Sequence, residues 1–291
     1  MNENFKKVLK DHAKSFYFAG LLLDKNTLND ASILYAFCRQ LDDAADEGTD
    51  NLSKLNYLIE DYKKNTSENI VNNTFKKLQD KYELDQIFID DLMKGIKEDL
   101  SFEQPKDLND LIIYSYQVAG TVGGLMAKIL GANDQNAWKF AVDLGIGMQL
   151  TNIARDIKED AINKRIYIPK DMLGDITHQN ILNDSNKEQV FKATESILKI
   201  ADQYYESGLK GIFHIPNKNK FSIFVAAHLY RSIGNKVLKN KSEFLKSRSY
   251  LNIFEKIILL SKLYFQKSKL LSFIAVEHET NKLHKPYLKI K

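Results

Sequence analysis

Two stretches constrain the chain more than any other: residues 35–47, YAFCRQLDDAADE, and residues 149–160, QLTNIARDIKED. Neither contains proline and both carry helical periodicity, so Asp42 and Asp46 share one face of a first helix, and Asp156 and Asp160 one face of a second. The rhythm extends beyond the acids. Tyr35, Arg39, Asp42 and Asp46 step by four, three and four, and Gln149, Asn152 (or Ile153), Asp156 and Asp160 step in nearly the same way. The intervening residues are mostly Ala, Leu, Ile and Phe, so the carboxylates lie on largely apolar helices, where a charge needs a partner. A hard divalent cation shared between carboxylates and substrate phosphates meets that need, and Mg²⁺ prefers such a setting. The two helices are therefore expected to face each other across a metal-bridged diphosphate.

The rest of the chain fits helices. Only 4 prolines and 13 glycines interrupt 291 residues, which points to an all-α fold, and 44% hydrophobic residues supply a core. No repeat, low-complexity linker or compositional break divides the helices, so residues 1–291 read as one domain. The single cysteine, Cys38, excludes an internal disulfide and reads as core packing. The N-terminus, MNENFKKVLKDHAKSF, has no long apolar core or cleavage site, and no apolar run reaches the roughly 18 residues of a membrane span. A cytoplasmic location follows as the expectation. Residues 211–291 hold 16 Lys and Arg against 4 Asp and Glu, while the first 210 hold 26 against 34. Such a basic third suits an anionic membrane surface, nucleic acid, anionic substrate or a plain solvated face. Its segment YLNIFEKIILLSKLYFQKSKLL mixes apolar residues with Lys256, Lys262, Lys267 and Lys269, which favours peripheral lipid contact over nucleic acid.

DDAADE and QLTNIARDIKED, followed by RIYIP, resemble the two aspartate-rich signatures of the squalene and phytoene synthases, and the resemblance runs from about His12 to about Arg248. It implies a single-domain isoprenoid-synthase helical bundle around a central active-site cavity, in which two prenyl diphosphates are condensed head to head through a cyclopropyl intermediate. Mg²⁺, with Mn²⁺ as a substitute, would be held by Asp42, Asp46, Asn152, Asp156 and Asp160, with Tyr35 and Arg39 acting beside them. Residues of HAKSF, namely His12, Lys14, Ser15 and Phe16, resemble a flap over a diphosphate, with Ala13 where many relatives carry Ser. Tyr114, Val118 and Gly120 align with the substrate cavity. Gln149, Arg155, Arg165, Tyr167, Tyr230 and Arg248 align with groups that reach the diphosphates, and Lys164 replaces a glycine common in relatives.

Residues 108–131 read as one buried helix despite Gly120, Gly123 and Gly124, each costing roughly 1 kcal/mol relative to Ala. Close helix packing and passage of a prenyl chain are the two explanations. Asn29 or Asp30 is expected to cap the first acid helix, Gly48 to Asp50 to turn after it, and Asn133 or Asp134 to cap the helix leading into the second motif. Asp90, Asp91, Glu98 and Asp99 read as solvated faces, and the last helices as residues 187–211, 221–239 and 250–276. The favoured product is 15-cis-phytoene from two geranylgeranyl diphosphates. Two farnesyl diphosphates giving squalene or dehydrosqualene form the alternative, NADPH being required only for squalene. An assembly factor or membrane adaptor of the same fold is the non-enzymatic reading, against which all four aspartates stand.

Overall fold

The computed structural model describes residues 2–46, 50–64, 67–132, 134, 136–267, 270 and 276–288, and among these it contains helices and no strand. Gly48, Thr49, Asn133 and Lys269, to which a turn, a cap and a surface role were assigned, lie outside the described residues. Helices α1 (Asn2–His12) and α2 (Lys14–Gly20) are separated at Ala13, whose backbone is non-helical. Helix α3 (Lys25–Asp46) carries the first acid motif. It begins before the expected cap because Asp24, not Asn29 or Asp30, accepts the amides of Asn26 and Thr27, each at 3.0 Å. Asp30 is instead buried in the helix, accepting from Lys81 Nζ at 2.6 Å and Tyr82 OH at 2.7 Å. Several adjacent residues could cap; the buried Thr27 and Leu28 carry the apolar face back one turn and decide between them.

Helices α4 (Asn51–Lys63), α5 (Ile70–Tyr82) and α6 (Gln86–Glu98) pack on α3. Phe37 stacks on Phe75 at 3.8 Å in that contact. The expected glycine-bearing helix divides into α7 (Leu108–Ser115), a π-helical turn (Tyr116–Gly120) and α8 (Thr121–Ile129), closed by Gly131 at φ +85°. Its glycines serve packing. A Cβ on Gly123 would stand 2.1 Å from the Ala141 carbonyl oxygen, and one on Gly145 would stand 2.3 Å from that of Ala119. The two backbones thus meet in both directions. Gly120 faces Val142 and Ile146, and the space beside Gly124 is filled by the Phe88 ring. The substrate role expected of Gly120 is therefore corrected, because protein occupies the room its missing side chain leaves.

Helix α9 (Ala137–Arg155) is the hub, packed against α8, the π-helical turn, α12 (Lys187–Lys210) and α13 (Asn217–Lys239). The second acid motif is not one straight helix: the chain kinks at Asp156 (φ −102°, ψ 14°) and resumes as α10 (Ile157–Ile162). The ladder carries across the kink, Asp156 N–H donating to Asn152 O at 2.8 Å and Asp160 N–H to Asp156 O at 2.9 Å. A short α11 (Lys170–Leu173) follows. Helix α13 starts a turn before the expected Phe221, directly after Pro216, whose fixed φ suits a helix entrance. Helix α14 (Ile253–Tyr264) is shorter than the expected span; Asn252 and Glu255 form a reciprocal capping box at its start. A final short α15 (Lys285–Leu288) ends the described chain. One large hydrophobic core runs through all the long helices, as expected of a single helical bundle.

Candidate active site

Between α3 and α9 lies a cavity of ≈ 320 Å³, flanked by α2, the π-helical turn with α8, and α13. Most of its wall is apolar, with Phe16, Val118 and Met148 among the lining residues. Apart from Ser222 on α13, its polar groups come from the acid helices, Tyr35 and Asp42 from α3, Gln149 and Asn152 from α9. The sequence spacing explains this. Tyr35, Cys38 and Asp42 recur on one face of α3, and Leu144, Gly145, Met148, Gln149 and Asn152 on one face of α9, so each helix turns an apolar stripe ending in polar groups toward the other.

Beyond that polar end, side chains from several segments converge. Arg165 donates to Asp46 at 2.7 Å and to the Asp99 carbonyl at 3.3 Å. The Asp99 carboxylate accepts from Tyr114 OH at 3.0 Å and Tyr167 OH at 3.2 Å, and those two rings stack at 4.9 Å. Asp156 lies between two guanidinium forks, Arg155 at 2.7 and 2.5 Å and Arg248 at 2.7 and 2.9 Å. Tyr230 is buried between the Phe16 ring, 4.6 Å away, and Arg155. Arg39 pairs with Asp43 at 2.5 Å.

The electrostatics single out three acids. Burial, reinforced by Asp46 and opposed by Arg39, pushes Asp42 up to about 7. Asp160 rises to about 8 through burial and the neighbouring Asp156 and Glu159, and Asp99 to about 6 through burial in spite of Arg165. Asn152 Oδ1 and Glu159 Oε2 are buried with no hydrogen-bond partner. Carboxylates short of positive charge, with an orphaned amide oxygen among them, are an oxygen-rich donor set that fits a hard divalent cation. Asp42, Asp46, Asn152, Asp156 and Asp160 could hold it, Asp156 by exchanging guanidinium for metal.

Most of the expected site residues therefore meet at one end of the cavity. Tyr114 is displaced from its expected role: it sits among the acids with Asp99 and is absent from the cavity wall. His12 and Lys14 are exposed and Ser15 half-buried, so only Phe16 of the HAKSF segment reaches the cavity. Lys256 is buried by Phe18, and the nearby charge of Lys14 adds to the burial that lowers its pKa, which removes it from the expected lysine-rich surface. Asp99, read from sequence as solvated, is a central member of the site. Asp91 likewise accepts from Tyr116 OH at 2.6 Å, whereas Asp90 and Glu98 are exposed as expected. Nothing in the spacing of Asp90, Asp91, Glu98 and Asp99 separates the two that are hydrogen-bonded by tyrosines from the two that face solvent.

The sequence model of the squalene/phytoene synthase family matches residues 9–255. The chain is 30% identical over 264 residues to a 15-cis-phytoene synthase of Enterobacter agglomerans, covering 85% of this chain and 90% of that one. It is 31% identical to a 15-cis-phytoene synthase of a Paracoccus strain, over 85% and 86%. Among solved structures, a dehydrosqualene synthase in complex with a ligand superposes with a TM-score of 0.80 at 27% identity, over 94% of this chain and 97% of that one. A squalene synthase of Alicyclobacillus acidocaldarius, at 19% identity and a TM-score of 0.73, shares the fold.

Proposed function

The chain belongs to the squalene/phytoene synthase family and is a prenyltransferase of that type, and on that premise we propose that it makes 15-cis-phytoene from two geranylgeranyl diphosphates. The observation that carries the reading is the pair of acid stripes set at one end of an apolar cavity, with Asp42 and Asp160 held at raised pKa by burial. The names of the most similar relatives support the C20 substrate. The fit to a dehydrosqualene synthase keeps farnesyl diphosphate as the second reading.

Mg²⁺, when bound, supplies Lewis-acid stabilisation of the negative charge that grows on a departing diphosphate. The chain supplies the rest. Asp42, Asp46, Asp156 and Asp160, with Asn152, would hold the cation, and through it the diphosphate, at the cavity's polar end. Arg155, Arg165 and Arg248, paired with Asp156 and Asp46, can move onto phosphate oxygens, and their planar forks suit that exchange. Tyr35 turns a ring toward the cavity, where its face stabilises positive charge left on carbon. The apolar wall keeps water from that carbocation until the second double bond reaches it. NADPH is not expected for this product. Incubation with labelled C15 and C20 diphosphates, with and without NADPH, is expected to give phytoene from C20 alone; squalene or dehydrosqualene as the main product would replace the reading.

Peripheral membrane contact belongs to the same proposal. Among the described residues no helix is long and apolar enough to cross a membrane. Helix α14, however, presents Phe254 at 73% and Ile258 at 57% exposure, followed by Phe265 at 83%, with the exposed Lys262 and Lys267 beside them. That combination suits an anionic bilayer. Salt-sensitive sedimentation with anionic liposomes, lost in Phe254→Ser/Phe265→Ser, is the expected result; equal binding to duplex DNA would overturn it.

A further inference from the structure

Behind α9, on the side away from the cavity, a second ionisable cluster is buried. Asp143 is fully buried and takes no part in the cavity wall. Its Oδ2 accepts from His278 Nε2 at 2.8 Å, His284 Nε2 at 3.1 Å and Ser207 Oγ at 2.5 Å, and its Oδ1 accepts from Tyr287 OH at 2.9 Å. Three of these four donors come from residues 276–288. Tyr204 OH adds a bond to Leu283 O at 2.6 Å. The carboxylate is thus the anchor of the chain's last described segment.

Two imidazoles and a carboxylate this close could hold a transition metal. The hydrogen bonds argue otherwise. His284 Nδ1 accepts the Asn281 amide at 2.8 Å, so in the neutral ring the proton sits on Nε2, which donates to Asp143 and has no lone pair to offer a metal. Burial pushes Asp143 up, yet the hydrogen bonds from His278 and His284 outweigh it and hold the carboxyl below its ordinary range. The anion is satisfied by donors alone.

The anchored segment also touches the cavity wall from behind. Tyr287 stacks on Tyr116 at 5.1 Å and 7°. Tyr116 opens the π-helical turn, whose Val118 and Ala119 line the cavity. Asp143 lies between Val142, which packs on Gly120, and Leu144 and Gly145, which line the cavity from α9. We propose that Asp143 is a positioning residue: by latching residues 276–288 behind α9 and Tyr116, it sets how closely the π-helical turn approaches α9, and so the chain length the cavity accepts. The chain-length part rests on the prenyl diphosphate reading above.

The test compares full-length wild type with Asp143→Asn, Tyr287→Phe and His284→Gln, the last able to keep a donor near Nε2 without a metal lone pair. In Asp143→Asn, and more weakly in Tyr287→Phe, which keeps the ring stack, amide exchange across residues 116–120 should accelerate by about tenfold or more. The C20:C15 ratio of kcat/KM should change by about tenfold or more, the range that a methylene of pocket space commands. His284→Gln should stay close to wild type. A lowered Tm with unchanged exchange at 116–120 and an unchanged ratio would reduce the latch to ordinary stability and overturn the proposal. So would one equivalent of zinc in the wild type that is lost in His284→Gln. If wild type turns over neither diphosphate, the functional reading fails, while the exchange measurement still decides the latch.

Discussion

Asp143 near the start of α9 is fully buried and Asp160 just past its end half-buried, and they meet opposite surroundings. Asp143 receives four donors and is held as a stable anion; Asp160, like Asp42 on α3, is pressed against other carboxylates and driven toward its protonated form. A chain that needed only packing could have satisfied or removed the second kind, since an unpaired buried acid costs free energy that an apolar side chain does not. The difference separates acids completed by the fold from acids left incomplete for a ligand, and the variants below are chosen to test that division.

The largest effect falls on turnover. Asp42→Asn or Asp156→Asn should lower kcat by about a hundredfold or more at saturating Mg²⁺, because a lost ligand weakens a charge stabilisation worth several kcal/mol. Circular dichroism should show the fold intact; near-wild-type turnover in either variant would sink the metal assignment. Stability should respond in the reverse order. Asp143→Asn is expected to cost about 3 kcal/mol in urea unfolding, since it sets an amide N–H₂ against buried donors, whereas Asp42→Asn should be neutral or slightly stabilising. Equal losses in the two would erase the contrast.

The pH dependence follows from the raised acids. Asp42 at about 7, Asp99 at about 6 and Asp160 at about 8 bind more protons folded than unfolded across roughly pH 4 to 8, so their contribution to stability is lost as pH rises through that window. A cation competes with those protons. The Tm gain from Mg²⁺ with inorganic diphosphate should therefore grow from about pH 6 to about pH 8, and grow less in Asp160→Asn. A gain independent of pH would show that these acids do not receive the metal. The smallest effect concerns Lys164, which holds φ +61° in the turn between Asp160 and Arg165. Lys164→Gly should stabilise by about 1 kcal/mol by relieving left-handed backbone, offset in part by unfolded-state entropy, and leave kcat within about twofold.

How far the site could be read from the chain depended on whether its members are neighbours in sequence. Asp42, Asp46, Asp156 and Asp160 repeat at helical spacing, and Arg165 and Tyr167 follow directly, so periodicity and motif identified them together. Asp99 meets Tyr114 and Tyr167, and Asp143 meets His278, His284 and Tyr287, across gaps that no periodicity spans. The helical class followed from the scarcity of breakers, but the π-helical turn did not, because an extra residue in a helix leaves its apolar pattern nearly unchanged over one turn. Helix entrances slipped where two acids competed to cap, as with Asp24 and Asp30.

The reciprocal contact of Gly123 with Ala141 and Gly145 with Ala119 bears on any attempt to retailor the cavity. Along that seam the wall is main chain on both sides, so no side chain can be trimmed there to enlarge it, and any addition collides with a carbonyl. Gly124→Leu, directed at Phe88, would meet the same fate and reduce use of long and short substrates together. A saturation library over the cavity would then return its altered-specificity clones from positions such as Phe16, Ile223 and Ala226, where side chains form the lining, and would return blanks from the glycine seam. The enzyme's room for change lies away from that seam.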